Sequence, residues 1–99
     1  MATLYIAEFA FIPRQTGDGV QIAQMAPIAE QTVAIGAGST ASSAFNAATR
    51  FVRLHTDSIC SIAFGASPTA TTTNARMAAN TTEYFAVTAA QKVAVISNT

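Results

Sequence analysis

Residues 50–65 read RFVRLHTDSICSIAFG, and their alternation decides the fold class. Phe51, Arg53 and His55 fall on one side of an extended chain, and Val52, Leu54 and Thr56 on the other. Successive side chains of a strand point to opposite faces, so this period of two marks a strand with one face turned to a core. Asp57-Ser58 reads as a turn, because short polar side chains bond their own backbone. Ile59 to Phe64 is the next strand, and Gly65 to Pro68 punctuates it.

The same pattern recurs outward from this stretch. Residues 3–11 (TLYIAEFAF) place Leu4, Ile6 and Glu8 on one side and Tyr5, Ala7, Phe9 and Phe11 on the other, with Pro13 as the stop. Thr16-Gly17-Asp18-Gly19 is a turn signal. Val20 to Met25 alternates again, and Gln31 to Ile35 is a β-rich run ending at Gly36. Residues 36–49 (GAGSTASSAFNAAT) differ in kind: small, polar, and read as a long flexible loop or arm. Within it Ser42 or Ser43 is placed to cap one helical turn through Phe45 and Ala48. Residues 69–82 show no clear strand before their end. Glu83 to Thr88 and Lys92 to Ser97 read as a hairpin across Ala89-Ala90-Gln91. About seven short strands and no long helix predict one all-β domain over 1–99, an antiparallel β-sandwich or jelly-roll-like barrel. Residues 1–12 form its N-terminal strand or an arm.

Charge is scarce. Of 99 residues 10% are charged, against about 25% in an ordinary domain. Net charge is zero, 51% of residues are apolar, and much of the polar remainder is Ser and Thr. A folded surface of about 5,300 Å² would then carry roughly one charge per 530 Å². Such a surface is easily desolvated, and covering it strands few charges, which suits a protein held among neighbours. Arg14, Arg50, Arg53, Arg76 and Lys92 are scattered, so no basic stripe offers itself to nucleic acid. The uncharged stretches 31–49 and 58–75 are rich in Ser, Thr, Gly and Asn, and neither reads as a membrane span. The N-terminus has no basic region, and Glu8 interrupts its apolar run, so no signal peptide is expected.

Candidate chemistry is thin. His55 is the only histidine and Cys60 the only cysteine, too few for a zinc site within one chain. Asp57, Ser58 and Cys60 lie near His55, but neighbours on one strand point outward in parallel rather than at each other, so no triad is expected. Glu8, Asp18, Glu30, Asp57 and Glu83 are isolated, without the pairing that acid–base work needs. Gly36-Ala37-Gly38-Ser39-Thr40 lacks the lysine of a phosphate loop. No catalytic residue, metal, cofactor or small-molecule substrate is expected. The aromatics and the polar strand face supply instead a candidate interface: Tyr5, Phe9, Phe11, Phe45, Arg53, His55, Tyr84 and Phe85. Tyr84 and Phe85 are strand neighbours, so one should enter the core and leave the other to a partner.

A longer pattern runs through the second half: Phe51-Val52-Arg53-Leu54, Asp57, Cys60, Phe64-Gly65 and Pro68-Thr69-Ala70, then Arg76-Met77, Glu83-Tyr84-Phe85, Val87 and Lys92-Val93-Ala94-Val95-Ile96. Over about residues 50–97 this resembles small virion proteins of tailed bacteriophages, of the capsid cement or decoration type. A glycine is expected before Gln91-Lys92 in such proteins; Ala89-Ala90 stand there instead. The resemblance implies a structural protein of the capsid surface, made in the host cytoplasm. Its partner would be the major capsid protein, and the chain itself a dimer or trimer. A neck or tail component, and a small carbohydrate- or receptor-binding β-sandwich module, are the alternatives.

Overall fold

The computed structural model describes residues 2–10, 14–15, 18–19 and 26–98, and of 14–15 and 18–19 the backbone alone. Phe11, Pro13, Gly17 and the alternating run Val20 to Met25 lie outside the described residues. The strands are β1 (Thr3–Phe9), β2 (Arg14–Gln15), β3 (Asp18–Gly19), β4 (Ala29–Ala34), β5 (Thr40–Ala41), β6 (Phe51–Thr56), β7 (Cys60–Gly65), β8 (Ala75–Met77), β9 (Thr81–Ala86) and β10 (Lys92–Ser97). One four-stranded sheet has the order β4-β1-β6-β9 and a second the order β5-β10-β7-β8. Strands β2 and β3 pair only with each other. All these pairings are antiparallel.

Alternation decides which residues meet. Leu4, Ile6, Val33, Val52 and Leu54 point inward from the first sheet, and Cys60, Ile62, Met77, Val93 and Val95 from the second. Together they form one buried cluster between the sheets, as two stacked amphipathic sheets must. Connectivity places the strands further. The chain changes sheet between β4 and β5, β5 and β6, β6 and β7, β8 and β9, and β9 and β10. That is the order of a jelly roll whose closing strand, the one between β4 and β6, is supplied by β1 from the start of the chain. Ile35 N–H donates to Ala2 O (3.0 Å) and Ser97 N–H to Gly36 O (2.9 Å), so neighbouring residues hold the beginning of β1 beside the end of β10. The two sheets stay separate. The molecule is a sandwich with jelly-roll connectivity, not a closed barrel.

Several local readings give way to tertiary packing. Strand β1 is not an arm: it is central, bonded to β4 on one side and β6 on the other. The hairpin read over 83–97 does not form, because β9 and β10 lie in different sheets. The reason is burial. Val93, Ala94 and Val95 are all buried, which requires a central strand covered on both faces, whereas β9 is an edge strand with only Phe85 packed on the core. The connection carries Ala90 at φ 66°, a left-handed conformation. This is where the resemblance calls for glycine, and a Cβ there costs about 1 kcal/mol. Ala90→Gly should therefore raise the urea midpoint by an amount worth about 1 kcal/mol; a lower midpoint would contradict this turn geometry. Strand β8 escaped the sequence reading because only three residues pair, and of these only Met77 is buried.

The segment 36–49 carries no helical turn. It makes one tight turn, with Thr49 N–H donating to Asn46 O at 3.0 Å, and its partners are fixed. Phe45 is 3% exposed and plugs one end of the sandwich, where the rings of Phe45, Phe64 and Phe85 follow one another at 6.5 and 5.3 Å. The buried carboxylate of Glu8 accepts from Asn46 N–H and Thr49 Oγ1, both at 2.7 Å. The stretch 66–74, between β7 and β8, is a strap over the outer face of the second sheet. Ala70, which is buried, donates its N–H to Ser39 Oγ (2.8 Å), beside β5 at the edge opposite β8. Asn98 Nδ2 ties the strap down by donating to Thr72 O (3.1 Å) and Ser61 Oγ (2.7 Å).

Candidate functional site

The outer face of the first sheet carries the polar side of RFVRLHT. Its register fixes a grid. Thr32, Tyr5, His55 and Thr82 lie in one cross-strand row, and Glu30, Ala7, Arg53 and Tyr84 in the next. Beyond Ala7, Phe9 stacks on Phe51 (centroids 5.0 Å apart, planes 15° apart), and Tyr84 tilts against Phe51 at 6.4 Å. A small residue surrounded by Tyr5, Phe9, Glu30 and Arg53 leaves a depression, because pleating sets every Cβ of a face at a similar height. A groove of about 860 Å³ opens there, lined by Tyr5, Ala7, Glu30, Thr32, Arg53, His55 and Asp57 together with backbone of Ile6 and Gln31.

Hydrogen bonds fix two of its walls. His55 Nδ1 is bonded to Thr82 Oγ1 at 2.8 Å, which orients the ring, and Nε2 has no partner among the described residues. Tyr5 leans on that ring at a centroid distance of 6.2 Å and remains 45% exposed. Asp57 Oδ1 accepts from Thr3 N–H at 2.7 Å, and Oδ2 has no partner among the described residues. Glu30, Thr32 and Arg53 make no side-chain hydrogen bond to another described residue.

The candidate interface residues are thus sorted by packing. Tyr5, Arg53 and His55 come together in the groove, and Tyr84, 56% exposed, stands beside it. Phe85 turns inward, as strand alternation requires of Tyr84's neighbour. Phe9 and Phe45 are buried at 2% and 3% and belong to the chain's own packing, because each found aromatic partners within the fold. Phe11 lies outside the described residues. Glu30, Thr32 and Ala7 were missed as site residues. Ala7 shares the Tyr5 side by alternation, but only the β1–β4 register reveals Glu30 and Thr32, and no local signal in the sequence carries that register.

The groups nearest a nucleophilic arrangement are parted. Thr82, not Asp57, orients His55, and Cys60 lies in the core with its Sγ 3.6 Å from Thr56 Oγ1. Among the described residues no three of His, Cys, Asp and Glu gather to hold a metal ion, and no helix is long and apolar enough to cross a membrane. Burial pushes the Cys60 thiol above its ordinary range; the hydrogen bond with Thr56 opposes this and the nearby Glu83 carboxylate adds to it. The folded protein therefore holds the Cys60 proton after the unfolded chain has lost it. That contribution to stability is complete below the unfolded thiol's pKa and is lost as pH rises through the folded value. Urea midpoints measured up the alkaline limb should fall less steeply for Cys60→Ala than for the parent, and parallel limbs would refute the assignment.

No family model, curated protein or solved structure matches the chain. Functional argument therefore starts from the two faces of the sandwich. They are unlike. The strap 66–74 and the stretch 36–41 that it meets carry no charge, and most of their side chains are exposed; Arg76 and Lys92 share the outer face of that sheet and flank the strap. The opposite face holds Glu30, Arg53, His55 and Asp57.

Proposed function

We propose that this chain is a non-enzymatic structural protein of a tailed-bacteriophage virion, a capsid cement or decoration protein that bridges neighbouring copies of the major capsid protein. The observation that carries the reading is the uncharged surface of the strap and of the stretch it meets. Ala66, Ser67, Thr69, Thr71, Thr72 and Thr73 are exposed on the strap, and Gly36 to Ala41 are exposed beside it. The bond from Ala70 to Ser39 joins the two stretches, and Asn98 fastens the strap to the sheet. An ordered surface of small uncharged side chains loses little rotamer entropy and strands no charge when covered. The resemblance over residues 50–97 supplies the virion context. A standard footprint of about 800 Å² per partner is roughly one-seventh of the 5504 Å² this chain exposes, so several shell contacts fit on one molecule. Weak contacts to a repeating lattice then sum through effective concentration. The free protein is a symmetric dimer or trimer, or assembles on its lattice.

Co-sedimentation with empty capsids of the source phage tests the reading, with Thr72→Glu as the discriminating variant. The Thr72 side chain is exposed, and only its carbonyl is bonded, so the substitution spares the fold. Saturable binding at a fixed ratio is expected for the parent. The variant should bind at least about tenfold more weakly, since covering an unpaired carboxylate costs several kcal/mol. Equal binding of the two would remove the strap from the interface. No binding by either would remove the cement reading and favour a neck or tail location. The groove favours a second reading, a carbohydrate- or receptor-binding module. Such a module works as a monomer, so the mass of the free protein separates the two.

A further inference from the structure

We infer that the groove on the outer face of the first sheet is a binding site for a neutral saccharide. The inference deepens the second reading above, the carbohydrate-binding one, and rests on it; its test is separate from that of shell binding, because it concerns the face opposite the uncharged strap.

The groove's shape follows from its smallest residue. Ala7 is the floor, and Glu30 and Arg53 flank it across strands about 10 Å apart. Its volume of about 860 Å³ lies within the range of small-ligand clefts and well above one monosaccharide's needs. The groove runs across the strands from Glu30 to Arg53, a span that takes more than one linked ring.

The chemistry of the walls selects the class. Two carboxylates, Glu30 and Asp57, face one guanidinium, Arg53, and the His55 imidazole. Carboxylates on either side of a guanidinium give no net attraction for a phosphate or a sulfated polymer, and Arg53 between them opposes a polycation. A ligand dense in hydroxyls satisfies both kinds of group, because each hydroxyl donates and accepts. Arg53 and Glu30 end in planar forks whose paired atoms match two neighbouring hydroxyls. Among the described residues His55 Nε2 and Asp57 Oδ2 have no hydrogen-bond partner, so each offers one further polar atom, on side chains held by Thr82 and Thr3. Tyr5 supplies the apolar element. Its ring is steadied by His55 and half-exposed along the groove, where the C–H face of a pyranose can lie against it. Tyr84 extends the same surface beside Arg53.

The test is amide chemical-shift mapping of the free protein. The probes are maltohexaose, cellohexaose and chitohexaose, each titrated to about 10 mM so that a Kd of about 1 mM is saturated. Shifts are expected at Tyr5, Ala7, Thr32, Arg53 and His55 for at least one probe, with none on the strap 66–74. Tyr5→Ala and Arg53→Ala are each expected to weaken that probe about tenfold. Tyr5 and Arg53 lie on the outer face, away from the core cluster, and an unchanged thermal midpoint checks that the fold survives. No shift in the groove with any probe overturns the inference. So does binding that neither substitution weakens, or a response confined to the strap. A groove that ignores all three sugars but responds to an added peptide of the major capsid protein makes the site a protein contact, and overturns it equally.

Discussion

Removal of residues 2–9 is expected to abolish cooperative folding. An arm can be cut away from a β-sandwich at little cost, and the N-terminus of this chain reads in part like one. The strand pairings say otherwise. Strand β1 bonds β4 from Thr3 to Glu8 and β6 from Leu4 to Phe9, so its loss exposes both neighbours' inner edges and leaves β4 without a partner in its sheet. Leu4, Ile6 and Phe9 are almost wholly buried, and each contributes about 1.5–3 kcal/mol by leaving water. Their combined loss is comparable with the whole stability of a domain of this size, about 5–15 kcal/mol. The truncated protein should therefore show collapsed amide dispersion and no sigmoidal urea transition. A truncated chain that still unfolds cooperatively would mean that β1 is dispensable and that the first sheet holds from β6 and β9 alone. The same result bears on shell binding. Any loss of capsid occupancy on deleting this segment would report unfolding, so the strap variant Thr72→Glu is the cleaner probe of contact.

The sequence displayed the faces of strands well and their partners poorly. Leu4/Ile6/Glu8 against Tyr5/Ala7/Phe9, and Val52/Leu54/Thr56 against Phe51/Arg53/His55, are divided in the structure as alternation divides them. Alternation is a property of one strand, and it survives any choice of neighbour. Pairing is not such a property. Glu83 to Thr88 and Lys92 to Ser97 are adjacent, of equal length and joined by a short connection, which is all a hairpin needs locally. What separates them is that Val93-Ala94-Val95 must be covered on both faces, a demand only the centre of the second sheet meets. That apolar run is visible in the sequence and outweighs the proximity. The site was legible in the same proportion. Arg53 and His55 share a face with Tyr5 because β1 and β6 pair in that register, and both were marked by their polar alternation. Glu30 and Thr32 carry no mark of their own, and reach the groove only because β4 returns beside β1 after a long excursion. Phe9, Phe45 and Tyr84 show a further limit. All three are aromatics in polar company, and only the path of the chain decides which one stays on the surface.

Substitution of Glu8 by Ala is expected to cost about 3 kcal/mol or more, as much as the loss of a large apolar core residue. Alternation puts Glu8 on the inner face after Leu4 and Ile6, where an apolar residue would be unremarkable, yet it is only 2% exposed. Its carboxylate accepts from Asn46 N–H and Thr49 Oγ1 at 2.7 Å each and from Gln31 Nε2 at 3.4 Å. A carboxylate offers only acceptors, and all three partners donate, so the group is matched atom by atom. Gln31 extends the arrangement by accepting from Ser43 N–H at 2.9 Å. Glu8 is thereby the anchor that turns 42–49 from a loop into a fixed wall and seats Phe45 in the core. Ala in its place would leave the Asn46 amide and the Thr49 hydroxyl without their acceptor and open a cavity beside them. Glu8→Gln keeps one oxygen but sets an NH₂ against a donor, so it should cost less than Ala and still more than about 1 kcal/mol. A double-mutant cycle with Thr49→Val isolates the short bond, and a coupling of about 1–2 kcal/mol is expected from urea denaturation. Additivity within about 0.5 kcal/mol would show that Glu8 and Thr49 do not depend on each other. If the coupling is present and the chain is a cement protein as proposed, Glu8→Gln should also weaken capsid binding while lying away from the strap. The wall it holds leads directly from the stretch 36–41, whose Ser39 receives the strap, so a loosened 42–49 blurs the uncharged surface of the strap from behind.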